Sequence, residues 1–321
     1  MFEKNTRITT TIIVLGLLSL NGCNNDTSLK LDPAITWENP EDINVGNPLN
    51  AVQLNATSNV AGSFTYIPES GTLLNEGNDQ ILTVDFTPTE SASYNKVSKT
   101  VNINVNYNGK SNAIFNPGLT YGNMSDIDGN LYKTITIGDQ VWMAENLHTT
   151  KYRNGDLIPN IISNSEWIAL TSGAYSHYDN ETDLDNIATN GSLYNWFAVS
   201  DSRNIAPEGW HVATYDEWTQ LANYLGGINV AGGGVKESGN RHWNSPNTGG
   251  NNRSGFTALP SGRREYTDGS FINTGFNGFW WSNSAYNPDY SWYFQLNYDT
   301  ENINAANFHK QYGFSVRCVR D

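Results

Sequence analysis

Five histidines, two cysteines and 32 acidic residues are the groups with which this 321-residue chain could do acid–base, nucleophilic or metal chemistry. His148, His177, His211, His242 and His309 are never three or four positions apart, so no helix presents two of them to one zinc ion. His211, beside Trp210, reads as a hydrogen-bonded structural histidine. Cys318 alternates with Phe314 and Val316, which on a strand puts all three on one face and makes the thiol a small buried group. No Gly-x-Ser-x-Gly elbow or phosphate-binding glycine loop occurs. Glu145, Glu166, Asp216 and Glu217 have roles as loop, surface or cap residues, and a glycosidase pair needs a separation that sequence does not supply. In Asp126-Ile127-Asp128-Gly129-Asn130 the carboxylates alternate as in a calcium loop, but the twelfth position is Ile137 where an EF-hand requires Glu, so a tight turn at Asp128–Gly129 is expected. No catalytic residue, metal ligand or cofactor is assigned.

What remains is recognition. Between Gly232 and Asn304, glycines, asparagines, arginines and aromatics gather on expected loops, a mixture that makes adaptable contact surfaces for glycan or protein ligands. Arg241, Trp243, Asn251, Arg253 and Tyr290 are the candidate contacts, with Arg263 and Arg264 the alternative for an anionic ligand. Trp280, Trp281 and Trp292 fit a core equally well.

The elements that position these residues follow from composition and pattern. A formal net charge of −14, with 18 Lys+Arg against 32 Asp+Glu, offers no basic face to a polyanion, so nucleic acid is not expected as a partner. Aromatic residues at 12% argue against disorder, and the length suits two domains. From 34 to 106, period-two runs such as Gly62–Tyr66, Gln80–Phe86 and Val101–Val105 alternate with proline breaks, predicting about seven strands in an all-β sandwich that acts as a spacer. Residues 107–130 are rich in Asn, Gly and Ser and read as a linker. Residues 131–321 hold nine of the ten tryptophans and 19 of the 29 glycines, the mark of an irregular, loop-rich α+β domain. Within it, Tyr132–Ile137 turns at Gly138–Asp139 into Gln140–Met143 as a hairpin. A helix starts at Thr214 with a Thr-x-x-Glu capping box and stops at Gly226–Gly227. Shorter helices are expected at Ser165–Leu170 and Ser192–Val199, and strands at Phe279–Ser282, Trp292–Asn297 and Gly313–Val319.

The first residues are an address. Lys4 and Arg7 precede an apolar run, Ile12 to Leu20, that is too short to span a bilayer and reads as a signal peptide over 1–22. It closes on Leu20-Asn21-Gly22-Cys23, which resembles the lipobox of bacterial lipoproteins. That resemblance implies lipidation of Cys23, a membrane partner through the anchor, an outer-membrane or surface location in the cell envelope, and a tether over 23–33.

Two further resemblances concern the domains. The words GSFTYIPESGTLLNEGNDQILTVDFTPTESASYNKVSKTVNINV resemble a bacterial Ig-like repeat. In the second domain IGDQVWMAENLHTTKY (137–152), GSLYNWFAV (191–199), APEGWHVATYDEWTQLANYLGG (206–227), GFTALPSG (255–262), Trp280–Ser282 and GFSVRCVRD (313–321) resemble, in order, the Fibrobacter succinogenes major paralogous (FISUMP) domain. Its Trp-His-Val block and closing Gly-Phe-x-x-Arg-Cys are similar to the sulfatase-modifying branch of the C-type-lectin-like folds. The fold expectation is therefore multidomain, an N-terminal Ig-like sandwich followed by an irregular α+β C-type-lectin-like domain. A formylglycine-generating oxidase holds copper between two cysteines, and this domain has one; Ser176 stands where many relatives carry the cysteine that would pair with Cys318. With no cysteine pair, histidine cluster or nucleophile motif, and with loops rich in amides, arginine and aromatics, the expectation is a lipid-anchored, non-catalytic binding or adhesion protein. An enzyme of the sulfatase-modifying or carbohydrate-active type and a structural subunit of a surface assembly are the alternatives.

Overall fold

Alternation of buried and exposed side chains organises the first unit of the computed structural model, which describes residues 29–321; the signal peptide and Cys23 lie outside the described residues. Gly62–Ile67, Gly77–Pro88 and Val97–Asn106 pair antiparallel in sequence order, and Ile43–Asn44 adds a parallel edge to Val97–Asn106. Along these strands Leu82, Val84 and Phe86, and Val101, Ile103 and Val105, are buried at every second position. Trp37, Leu49 and Leu54 cover that face, and a short ladder joins Ile35–Thr36 to Thr57–Ser58. Residues 29–106 thus hold six strands rather than about seven, because much of 45–56 forms turns that carry apolar side chains into the core.

Two five-stranded sheets make the second unit. In one, the order is Trp210–Val212, Cys318–Arg320, Gln140–Met143, Leu131–Ile137, Gly122–Ser125; in the other, Phe271–Thr274, Ser261–Arg264, Asn277–Ala285, Tyr290–Asn297, Ile303–His309. The chain is mostly β with few helices. The expected hairpin is present, with Ile137 paired to Gln140 and Gly138 at φ +61°. So is the capped helix, Tyr215–Tyr224: Thr214 accepts from the Glu217 amide while Glu217 reaches back to the Thr214 amide at 2.8 Å. This helix lays Trp218 against Phe294 and Trp280 of the second sheet.

Several expectations are corrected. The stretch 107–130 is not simply a linker: Gly122–Ser125 is an edge strand of the first sheet, and the residues before it are bonded to the second unit. Asn112 donates its amide to Thr189 Oγ1 (3.0 Å), Ile114 donates to Glu237 Oε1 (2.6 Å), and Asn116 Nδ2 donates to Asn252 O (3.0 Å). Asn and Ser here act as hydrogen-bonding groups rather than as solubilisers. Of Ser192–Val199 only Trp196–Val199 is helical, since Leu193–Tyr194 pairs with Tyr175–Ser176. Within Gly313–Val319 only Cys318 and Val319 lie in a strand, Cys318–Arg320, although Phe314, Val316 and Cys318 are all buried. Gly232–Gly234 lies not on an open loop but in a buried helical turn, Ala231–Val235. A Cβ on Gly232 would sit 2.5 Å from Asn302 O, and one on Gly233 2.7 Å from Gly249 O, so these glycines permit close backbone approach.

Candidate functional site

Local hydrogen bonding shapes the turn that faces the first unit. The Asp126 carboxylate accepts from the amides of Asp128 (2.9 Å) and Asn130 (3.0 Å), from Asn130 Nδ2 (2.9 Å) and from the Tyr132 hydroxyl (2.6 Å). Burial nevertheless pushes its pKa up to about 6. For Asp128 burial acts in the same direction, but the Thr150 amide, Lys151, Thr149 and the Thr150 hydroxyl outweigh it and hold the carboxylate below its ordinary value. Both acids are therefore committed to the protein's own donors, and among the described residues no three His, Cys, Asp or Glu side chains are grouped to hold a metal ion.

Against this turn the two units meet. Asn44 Nδ2 donates to Asp128 O at 2.7 Å, and Asn108 Nδ2 donates to Asn130 Oδ1 at 3.0 Å. A side chain at Gly129 would collide with Asn44. Two adjoining cavities flank the contact, of about 310 and about 330 Å³. Asn44, Asn108, Asn130 and His148 line both; Tyr107, Lys110, Phe115, Lys133 and Glu145 are among the residues of the first alone, while His177 and Leu184 belong to the second. His148 lies against the Tyr132 ring (5.0 Å), and burial lowers its pKa to about 4, so it is neutral at pH 7. Glu145 is raised by burial even though it accepts from the Lys133 amide at 2.6 Å. The cleft is thus lined by amides, aromatic rings, the Glu145 carboxyl and the side chains of Lys110 and Lys133, the latter's ammonium lying 5.1 Å over the Phe115 ring. Such a lining orients a polar ligand through several directional bonds.

Sequence reasoning missed this cleft because its walls come from residues up to 144 positions apart, Asn44 and Ala188. It also missed the pairing of His177 with Ser192, whose Oγ lies 3.2 Å from the histidine Nδ1. Those are the residue types of a base and a hydroxyl nucleophile, but Ser192 is 0% exposed, so no substrate carbon can approach its oxygen.

The proposed contact residues are not brought together. Trp243 is corrected to a core residue: it is 1% exposed, donates Nε1 to Ala258 O at 2.9 Å and packs under the Lys236 ammonium. Arg253, although exposed, donates Nη2 to Leu225 O at 2.7 Å and so closes the C-terminus of the helix Tyr215–Tyr224. Asn251 is exposed and accepts from the Arg253 amide; Arg241 is exposed. Tyr290 begins the strand Tyr290–Asn297 whose far end approaches the loop of Thr248, which places it about 23 Å from that loop at ordinary strand rise. Arg263 is paired with Glu265 at 2.6 Å and covered by Phe279, Phe308 and Tyr312. Arg264 is fully buried between Trp167 and Phe271 and donates to Ile161 O, Gly269 O and Asn164 Oδ1, with its pKa lowered by burial to about 10. Neither arginine is free for an anion.

Four of the blocks singled out in the second unit, 137–152, 255–262, 280–282 and 313–321, converge with Asn190 on a buried polar hub instead. Asn146 Oδ1 accepts from Trp280 Nε1 (2.9 Å) and Arg317 Nε (2.7 Å), while its Nδ2 donates to Asn190 O (2.8 Å) and Ser261 Oγ (3.2 Å). Arg317, fully buried, also donates to the carbonyls of Met143, Phe256 and Thr257 at 2.9 to 3.1 Å. Burial lowers its pKa to about 9, still above neutrality, so it remains a cation at pH 7. His211 bridges Glu217 (2.7 Å) and Asp321 (2.6 Å); burial opposes its charge, but these carboxylates hold its pKa above the ordinary histidine value. Cys318 is a free, buried thiol whose pKa burial raises, and Ser176 is fully buried with its hydroxyl unpartnered among the described residues.

No curated protein and no solved structure matches the chain. Residues 135–320, more than half of the chain, match the model of the Fibrobacter succinogenes major domain. These residues contain the hub, its five contributing segments and the greater part of both five-stranded sheets, and by that match the chain belongs to the Fibrobacter succinogenes major domain family.

Proposed function

We propose that this protein is a non-catalytic binding module of the bacterial cell envelope, anchored to the outer membrane by lipid on Cys23, with an Ig-like spacer carrying a lectin-like head. The ligand, a glycan or a protein, enters the cleft between spacer and head. The observation that carries this reading is the cleft itself: two adjoining cavities lined by amide side chains, aromatic rings, two lysines, two acids and two histidines drawn from both units and the segment between them. The residues with reactive side chains support it as well. Cys318 and Ser192 are inaccessible, and Asp126, Asp128, Arg264 and Arg317 serve internal bonds.

The reading is tested by presenting the solubilised full chain to an array of glycans and matrix proteins, with and without calcium. Saturable binding that weakens by tenfold or more in Lys133→Gln or Asn108→Ala is the expected result. Turnover of any arrayed ligand overturns the non-catalytic reading. Mass spectrometry of the membrane fraction tests the anchor: an intact residue 1 or an unmodified Cys23 overturns it.

A further inference from the structure

Nine of the ten tryptophans are buried, and Trp292 is the one that is not. The reason is geometric. On one face of the second sheet the strand Tyr290–Asn297 presents Tyr290, Trp292, Phe294 and Leu296, and the neighbouring edge strand presents their cross-strand partners His309, Asn307, Ala305 and Ile303. The helix Tyr215–Tyr224 covers the Phe294 and Leu296 end of this face, where Trp218 stacks on Phe294 at 5.0 Å. It begins at Tyr215, whose ring meets Trp292 at 4.7 Å, and beyond that residue the sheet has no helical cover. The loop after Ala285 returns Tyr286 edge-on to Trp292 at 5.2 Å and 85°. An open shelf results, with Tyr286 53% and Tyr290 39% exposed and Trp292 half-buried.

We infer that this shelf is a carbohydrate-binding surface, on which the apolar face of a neutral sugar ring stacks over Trp292 beside Tyr286. Its chemistry distinguishes a sugar from an apolar protein surface. Three aromatic rings supply faces and edges for ring C–H groups. Asn307, directly across from Trp292, and exposed Asn283 offer amides that make no internal side-chain hydrogen bond among the described residues, as sugar hydroxyls require. Tyr215, Tyr286, Tyr290, Trp292, Asn283 and Asn307 carry no fixed charge at neutral pH, which suits an uncharged ring. Tyr290 was singled out from the sequence with partners it does not meet; the structure pairs it across the sheet with His309, whose ring it meets edge-on at 5.8 Å, two places along the same face from Trp292. The inference rests on the head being a binding module and is independent of the cleft between the units.

The test uses the isolation of Trp292. Acrylamide quenching of tryptophan emission in the full chain is expected to act mainly on Trp292 and to drop in Trp292→Phe. Cellohexaose, xylohexaose, mannohexaose and chitohexaose are then titrated as protectants. At least one is expected to protect the emission saturably, and Tyr286→Ala and Trp292→Ala to weaken that sugar by about tenfold or more, read by calorimetry. Tyr286 is exposed enough that its loss leaves the melting temperature unchanged, so a failure of Trp292→Ala to fold does not remove the test. Protection by none of the four, or binding that both shelf variants retain, overturns the shelf. Sugar binding lost in Lys133→Gln and retained in the shelf variants would do the same while sustaining the cleft; a protein ligand whose binding the shelf variants abolish would replace sugar as its occupant and also overturn the inference.

Discussion

The two units bury their interiors by different means. Between residues 37 and 105 the core is aliphatic and aromatic, set by side chains at alternate positions of paired strands, and its buried polar side chains are few, Asn44 and Gln53 among them. The second unit encloses Lys236, Glu237, Arg264, Arg317 and Asn146 among its aromatics and gives each of them partners. In the first, hydrophobic area does the work and any residue of similar volume will serve. In the second, cationic and amide side chains bond loop carbonyls that no ladder reaches. Lys236 is the plainest case: its ammonium holds Thr248 O, Asn297 O and Thr300 O at 2.8 to 3.0 Å, although burial lowers its pKa to about 8.

That contrast can be broken by substitution. Arg317→Leu leaves three carbonyls without their donor and Asn146 Oδ1 with Trp280 Nε1 alone, and a loss of about 4 kcal/mol is expected, confined to the transition of the second unit in calorimetry. A wild-type melting profile for this variant would show the hub to be dispensable. Leu82→Ala in the first unit should cost about 3 kcal/mol through transfer and cavity effects, and Leu82→Met about 1, since only volume matters there. Denaturant titration of the pair measures whether the first core is as tolerant as its composition implies.

Titration sharpens the comparison further. His148 is neutral when folded, with a pKa of about 4, whereas the unfolded chain takes up the proton near 6.5. Stability from this group is therefore lost as pH falls from about 6.5 toward 4. Asp126 has the opposite sign: its folded pKa of about 6 lies above the unfolded value, so its contribution rises as pH falls through about 6. Between about pH 6 and 4 these two contributions offset each other. His148→Asn removes the first, so acidification from pH 7 to 4.5 should favour the variant over the wild type by about 2 kcal/mol. Parallel pH profiles in chemical denaturation would count against this. Thr214→Ala should cost about 1 kcal/mol by unmaking the capping box. The smallest effect belongs to Arg241→Ala, an exposed side chain, with stability changed by less than about 0.5 kcal/mol.

What the sequence reveals depends on how far apart the interacting residues lie. The capping box spans Thr214 to Glu217 and the hairpin turn Ile137 to Gln140, so both are legible from neighbours alone. Alternation at Leu82, Val84 and Phe86 is equally local. The hub joins Asn146 to Arg317 across 171 positions, and no local pattern announces it; the one signal is an arginine set within the otherwise small and apolar Phe314–Val319 stretch. The candidate contact residues fail for the same reason. Adjacent Arg263 and Arg264 look like an anion site until Trp167, Phe271 and Phe279 close over them, and Trp243 resembles a loop aromatic until its indole reaches Ala258 O. Glycine-rich stretches mislead most strongly, because 232–234 is open to solvent in composition and buried in fact.

The bonded segment between the units also has a mechanical consequence. Tension entering from the N-terminal side meets Asn108, Lys110, Asn112, Ile114 and Asn116 in turn, each fastened to the second unit, Lys110 and Asn112 both to the helix Leu184–Asn190. These attachments lie in series along the chain, each worth about 1 kcal/mol net, so a pull detaches them one after another rather than together. The chain lengthens with each release, and load reaches the edge strand Gly122–Ser125 only after the last. The segment therefore acts as a sequence of small sacrificial fasteners that shields the sheets behind it from sudden traction.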